Sequence, residues 1–363
     1  MMPPAVRAAE LGRRTEEDGF DAIWWADHLM GWHPDSMWTE DLSPLARKQA
    51  NPHLYFDPLM MMGVVGHHTQ RVRVGVVVTD VIRRPAAPLA QTMLTLDHLT
   101  RGRAILGLGS GERLNLEPYG LPFDHPVARL SEGIDVIRRL WEADGPISYD
   151  GRFQHLDHAV LGLSPYGQRP PPIWTAAHGP RMLELTGRQA DGWIPTKMTP
   201  DRYAAGLETI RSEANKAGRD PEAITPAMLA YVLMGPDEAT IEKLTAHPLV
   251  RALCVLVPPE VFRALGVSPP LDSAGGGFHQ FIPSTVGREE AMRIVGAIPP
   301  RVVRHSAFCG TPEHVAEQVR AYQLRDLTHL VLWNITPFAD PDLTGFSFRG
   351  LRAVKDALAP SPL

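Results

Sequence analysis

The sequence predicts an α/β fold, a (β/α)8 TIM barrel with long βα insertions, on three observations. Short apolar runs rich in β-branched residues alternate with amphipathic helical stretches, which is the pattern of parallel βα units. The 363 residues could fill two domains of about 150 residues each, but barrels run from about 250 to more than 400 residues with insertions, so 1–363 reads as a single barrel domain. Small and polar residues also cluster where the apolar runs end, as they do at the C-terminal face of a barrel, where active sites are assembled.

Strands are expected at 22–26, 72–79, 104–108, 173–177, 192–196, 228–233 and 329–335. Helices are expected between them, at 88–98, 127–141, 180–189, 201–217 and 312–324. The chain opens on a helix over 4–18, so the first strand of the barrel is missing. Either the start has been placed late or the barrel is open, and a shortened N-terminus is the favoured reading. Unpaired backbone edges are then expected beside 22–26 and 331–335. Four long connections, 27–58, 110–126, 145–172 and 235–310, are each read as following a strand, and long loops of that kind usually serve function. The last contains a Gly-rich stretch, 273–279, that is either a mobile lid or a linker.

A composition of 44% apolar and 21% charged residues supports a sizeable core and argues against disorder. A formal net charge of -5 offers no basic footprint for nucleic acid. The apolar runs are far shorter than the ~20 residues that span a bilayer, and the N-terminus lacks the apolar stretch of a secretory signal. With two cysteines, Cys254 and Cys309, a disulfide framework is not expected and a reducing cytoplasm is the default.

Four constellations carry chemistry. Asp27 and His28, followed by Trp32, fall at the end of the first strand; there Asp27 can orient an imidazole, His28 suits proton transfer near neutral pH, and Trp32 offers a flat wall. An isolated Asp-His pair is more often a helix cap and a surface histidine, and its place at a strand end is what promotes it. The run 107–115 carries closely spaced glycines, Glu112 and Asn115. Its spacing is GxGxG rather than GxGxxG, which argues against a dinucleotide fingerprint; the glycines instead admit close approach of a ring or phosphate, with Glu112 as acid or base. In 174–181 a strand ends at Ala177, His178 follows, and Pro180 opens a helix whose free N–H groups, with His178 and Arg181, suit an anion. Val77, Val78 and Thr79 end the second strand, and Thr196 and Lys197 end another. His53, His67 and His68 prompt a metal test, but His67 and His68 precede a strand and no HExxH occurs, so no metal site is expected.

On the segments GFDAIWWADHLMGW, RVGVVVTDVIRRPAAPLAQ, LTRGRAILGLGSGERLNLEPYG and AAHGPRMLELTGRQADGWIP, the chain resembles the luciferase-like superfamily in its coenzyme F420-dependent branch, closest to the phthiodiolone ketoreductase-like proteins. The resemblance implies that Asp27, Val77, Val78, Thr79, Asn115, Ala177, His178, Arg181, Thr196 and Lys197 contact the deazaflavin. It implies catalytic roles for His28 and Glu112, with Trp32 walling the reacting centre, and a non-proline cis peptide within 76–79.

Two departures from the family matter. The first strand is absent, and Arg251, Arg263, Arg288 and Arg293 are scattered where a sugar-phosphate enzyme would gather basic residues, with His305 about where that branch has an arginine. The expected activity is therefore hydride transfer between F420 and an apolar ketone or secondary alcohol, His28 polarising or protonating the oxygen and Glu112 shuttling the proton. FMN-dependent monooxygenation and a catalytically silent cofactor-binding barrel are the alternatives. A small-molecule substrate is expected, with neither nucleic acid nor stable membrane insertion, and a homodimer is the expected assembly.

Overall fold

The computed structural model describes residues 5–167, 169–271 and 280–359; the Gly-rich stretch 273–279 lies outside them. Ten strands are assigned: β1 Ala22–Trp25, β2 Arg73–Val76, β3 Ala104–Leu108, β4 Ile147–Asp150, β5 His155–Ala159, β6 Ile173–Thr175, β7 Gly192–Trp193, β8 Thr225–Met234, β9 Ala307–Gly310 and β10 His329–Asn334. All seven expected strands form. They pair in parallel in the order β1-β2-β3-β6-β7-β8-β10, with helices between them as predicted.

The curled sheet does not close. Its path begins at β1 and ends at β10 with no ladder joining them among the described residues, and every residue of both strands is partly accessible, in keeping with the expected unpaired edges. Side chains cross the seam instead. Inside, Trp24 Nε1 donates to His329 Nε2 at 3.1 Å. Outside, Arg352 and Lys355 of the helix Thr344–Leu358 reach Asp18, which caps the helix Ala8–Glu17.

The barrel interior is filled rather than hollow. Trp24 and Trp174 pack against each other, tilted by 36°, at a centroid distance of 5.2 Å among Val77, Ile105, Ile194 and Ala227. Glycine makes room for both indoles: a Cβ at Gly75 would lie 2.4 Å from the Trp24 ring, and one at Gly192 2.6 Å from Trp174. Such crowding forces a shift in a close-packed interior.

One of the long connections differs from expectation, and another, which follows β8 as expected, carries helices of its own. The segment 145–172 follows the helix Pro126–Glu142, not a strand; it holds the antiparallel β4–β5 hairpin, tied to that helix by Glu132, which accepts from the backbone N–H groups of Arg152, Phe153 and Gln154. The segment 235–310 is largely helical, with Glu238–Ala246, Pro248–Ala252, Pro259–Ala264, Arg288–Gly296 and Pro300–Ser306 leading into β9, which pairs with the end of β8. These helices form a second core with Met30, Trp32, Met37 and Trp38 from the segment after β1. That core reaches Leu233 of β8 and Ile335 just after β10, beside the C-terminal ends of the strands.

Candidate active site

His28, Glu112, Asn115 and Trp32 converge although their segments are distant in sequence. β1 ends at Trp25, and the chain then turns outward through Asp27 and His28. Asn115, 1% exposed, reaches across from the short helix after β3. Its Oδ1 accepts from Leu29 N at 2.8 Å and Met30 N at 3.0 Å; its Nδ2 lies 2.7 Å from His28 Nδ1 and 3.1 Å from Glu112 Oε2. Glu112 Oε2 is 3.6 Å from His28 Nδ1. The imidazole meets the Trp32 ring edge-on at 4.6 Å and Tyr55 at 5.4 Å. Buried Trp32 has an Nε1 donor with no hydrogen-bond partner among the described residues.

Asp27 is committed to the protein. Arg84 donates to both carboxylate oxygens, at 2.8 and 3.2 Å, and onward to Asp57; Arg83 reaches Asp27 Oδ1 and its backbone carbonyl while also donating to Asp80. Burial alone would raise the carboxyl pKa, but the Arg84 hydrogen bond and both guanidinium charges outweigh it and hold Asp27 below its ordinary value. The carboxylate thus anchors the turn that presents His28.

The expected cis peptide is present at Val77–Val78. Beyond it, Thr79 bridges to Leu108 of β3, and Thr79 N and Gly109 N donate to Gly107 O and Thr79 O. Gly107 and Gly109 permit this approach: a Cβ at Gly107 would fall 2.0 Å from Val76 O, and one at Gly109 2.7 Å from the Val78 side chain. Val77 is buried and Val78 half-buried behind the cleft.

The third and fourth constellations meet at the far side of the cleft. Ala177 is buried, and Gly179 precedes the helix Pro180–Gln189 without a side-chain cap; Pro180 has no N–H and Met182 N and Leu183 N donate to Gly179 O, which leaves Arg181 N as the first-turn donor open to a ligand among the described residues. Arg181 is exposed there. His178 Nε2 accepts from both the N–H and the hydroxyl of Thr196, at 3.2 and 3.0 Å, so its proton sits on Nδ1. Desolvation, with Arg202 opposing a second charge, holds its pKa down to about 4. His178 therefore brings a neutral donor. Lys197 donates to the His305 carbonyl and lies 5.2 Å above the Phe308 ring; burial lowers its pKa to about 8.

Sequence reasoning missed three aromatic residues. Tyr55 packs tilted against His28, Tyr231 stands 6.4 Å from Trp32, and Trp333 lies 5.3 Å from Trp32 and 5.8 Å from Tyr231. Burial raises both phenols, so they remain donors. Of the scattered arginines, Arg288 pairs with Asp41 and Arg293 with Glu290. Among the described residues no cluster of three or more candidate ligands is placed to hold a metal, and no helix is long and apolar enough to cross a membrane.

The family model for luciferase-like monooxygenases matches residues 2–329. A phthiodiolone/phenolphthiodiolone dimycocerosates ketoreductase of Mycobacterium tuberculosis is 37% identical over 341 residues, covering 92% of this chain and 88% of that protein. An F420-dependent secondary alcohol dehydrogenase, solved with an F420–acetone adduct, superposes with a TM-score of 0.77 at 21% identity, covering 99% and 96% of the two chains. The F420-dependent tetrahydromethanopterin reductase of Methanopyrus kandleri gives 0.73 at 19% identity, covering 98% and 95%.

Proposed function

The chain belongs to the luciferase-like monooxygenase family, and from that premise we propose that it is an F420-dependent oxidoreductase acting on an apolar ketone or the corresponding secondary alcohol. The observation that carries this reading is the arrangement at His28: its Nδ1 side faces Asn115 and Glu112, while Nε2 makes no hydrogen bond among the described residues. Such a ring can donate to a carbonyl oxygen from Nε2. The 37% identical ketoreductase supports the substrate class, as do the aromatic walls of the cleft.

The cleft fits a deazaflavin. Val77 and Val78 form an apolar floor, the uncapped helix start at Gly179 and the exposed Arg181 suit an anionic tail, and His178 Nδ1 and Lys197 add donors at the same rim. When bound, the deazaflavin supplies or accepts the hydride. The protein's part is to hold the carbonyl against Trp32, to polarise its oxygen from His28 Nε2, and to replace the proton that leaves Nε2 with one that Glu112 takes up from solvent and passes towards Nδ1. The unpartnered Trp32 Nε1 is a second donor within the same aromatic wall.

Titration of the purified protein with F420 and separately with FMN, followed by tryptophan fluorescence, tests the reading. Quenching by F420 at micromolar concentration without a response to FMN is expected. Preference for FMN, with oxygen consumed once the cofactor is reduced, would overturn it in favour of a monooxygenase. Cofactor binding with no turnover across a ketone and alcohol screen would indicate a silent barrel.

A further inference from the structure

We infer that Asn115 is a positioning residue that fixes His28 in the tautomer carrying its proton on Nε2. The inference rests on the proposed reaction for its purpose but not for its geometry. A backbone N–H can only donate, so the Asn115 atom that meets Leu29 N at 2.8 Å and Met30 N at 3.0 Å is the amide oxygen. This settles the orientation of the amide, which a heavy-atom position alone leaves open. The other atom is then the NH2 group, and its two hydrogens face two acceptors, His28 Nδ1 at 2.7 Å and Glu112 Oε2 at 3.1 Å. All of the amide's hydrogen-bonding capacity is spent on this arrangement, within a residue 1% exposed.

Nδ1 must therefore accept, and a neutral imidazole that accepts at Nδ1 carries its hydrogen on Nε2. One group competes: the Met30 carbonyl lies 3.2 Å from Nδ1 and would accept from a protonated Nδ1. The shorter Asn115 contact wins while the ring is neutral. When the ring is charged, Met30 O and Glu112 Oε2 at 3.6 Å become the partners. Glu112 is the one charged group against the Nδ1 edge, while Trp32 and Tyr55 pack on the ring. One amide thus holds the loop 29–30, the ring and the carboxylate in register, so the atom left to the cleft arrives as a donor. A residue acting through the imidazole in this way needs no contact with cofactor.

The test is imidazole 15N NMR on the cofactor-free protein, with the His28 signals assigned by their loss in His28→Gln. The native protein is expected to show a pyrrole-like Nε2 and a pyridine-like Nδ1 at neutral pH. In Asn115→Asp the backbone bonds from Leu29 and Met30 persist, but a carboxylate replaces the donor at Nδ1. Nδ1 is then expected to become pyrrole-like and the titration midpoint of His28 to rise by about one pH unit or more. Asn115→Ser, which withdraws the donor without adding charge, should move the tautomer the same way with a smaller change in midpoint. A purely structural role predicts unchanged nitrogen shifts in both folded variants. That result, or a protonated Nδ1 in the native protein, overturns the inference. Because no cofactor is present, failure here leaves the F420 reading to its own titration.

Discussion

Trp24 Nε1 donates to His329 Nε2 at 3.1 Å across the seam where β1 and β10 share no ladder. The bond needs His329 unprotonated. Burial, with Arg73 adding to it, lowers the His329 pKa from its ordinary 6.5 to about 4. A folded value below the unfolded one means the fold favours the neutral ring, so this contribution to stability is complete above about pH 6.5 and is lost as pH falls towards 4. His329→Gln keeps an acceptor for Trp24 and removes the titration. Urea unfolding at pH 7 and pH 4.5 is expected to show a smaller acid loss in the variant, by on the order of 2 kcal/mol. His33, buried and also lowered to about 4, would supply a further part of the slope. An identical acid loss in both proteins would mean that His329 does not close the seam.

The clamp on Asp27 makes a second prediction. Withdrawing one guanidinium leaves a charge 4% exposed with half its partners, and breaking a buried pair from one side costs about 3 kcal/mol. Arg84→Met should therefore lower unfolding stability by about 2–4 kcal/mol, whereas Arg293→Met, which breaks an exposed pair with Glu290, should leave it unchanged. Asp27 has a depressed pKa, so its contribution is present above its unfolded value and lost as pH falls through the folded one. In Arg84→Met that acid step should shrink, and an unchanged acid limb would remove Arg84 as its cause.

Much of this fold was legible because a parallel sheet buried on both faces demands continuous β-branched runs, and seven such runs stand in the chain. β9 was not, since Ala307–Gly310 has no β-branched residue and pairs only with the end of β8. The insertion helices, several of only five to nine residues, are too short for a helical period to declare itself. Within the site, His28 and Glu112 were legible because each sits at a strand end marked by its own neighbours. Tyr55, Tyr231 and Trp333 have no local mark. Tyr231 and Trp333 pair in register on β8 and β10, and an aromatic late in each of two strands was the one signal available. The grip of Arg83 and Arg84 on Asp27 spans 56 and 57 residues, a distance that no local pattern reports.

For catalysis, His28→Ala and Glu112→Gln should each lower kcat by about 10²–10⁴-fold, the usual range for a general acid–base group. F420 affinity should change little, because neither side chain is placed at the anionic rim. Steady-state turnover alongside a fluorescence titration separates the two quantities. Full activity in either variant would remove that residue from the reaction, and a matching loss of cofactor affinity would reassign it to binding.

Lys197 allows a test of where the cofactor's charged tail lies. Burial lowers its pKa from 10.5 to about 8, with Cys309 opposing, so the charged amine is a cost to the fold. The cost is full below about pH 8 and fades as pH rises towards 10.5. Lys197→Met should accordingly gain stability at pH 7, on the order of 1 kcal/mol after loss of the bond to His305, and the gain should vanish near pH 10. An anionic ligand beside the amine favours its charged form and pulls the pKa back up. Binding of F420 at pH 8 should then take up a fraction of a proton, seen by calorimetry as a binding enthalpy that depends on the ionisation enthalpy of the buffer. Lys197→Met should abolish that dependence. Buffer-independent enthalpies in the native protein would place the anionic tail away from Lys197 and leave it to the helix start at Gly179, Arg181 and His178.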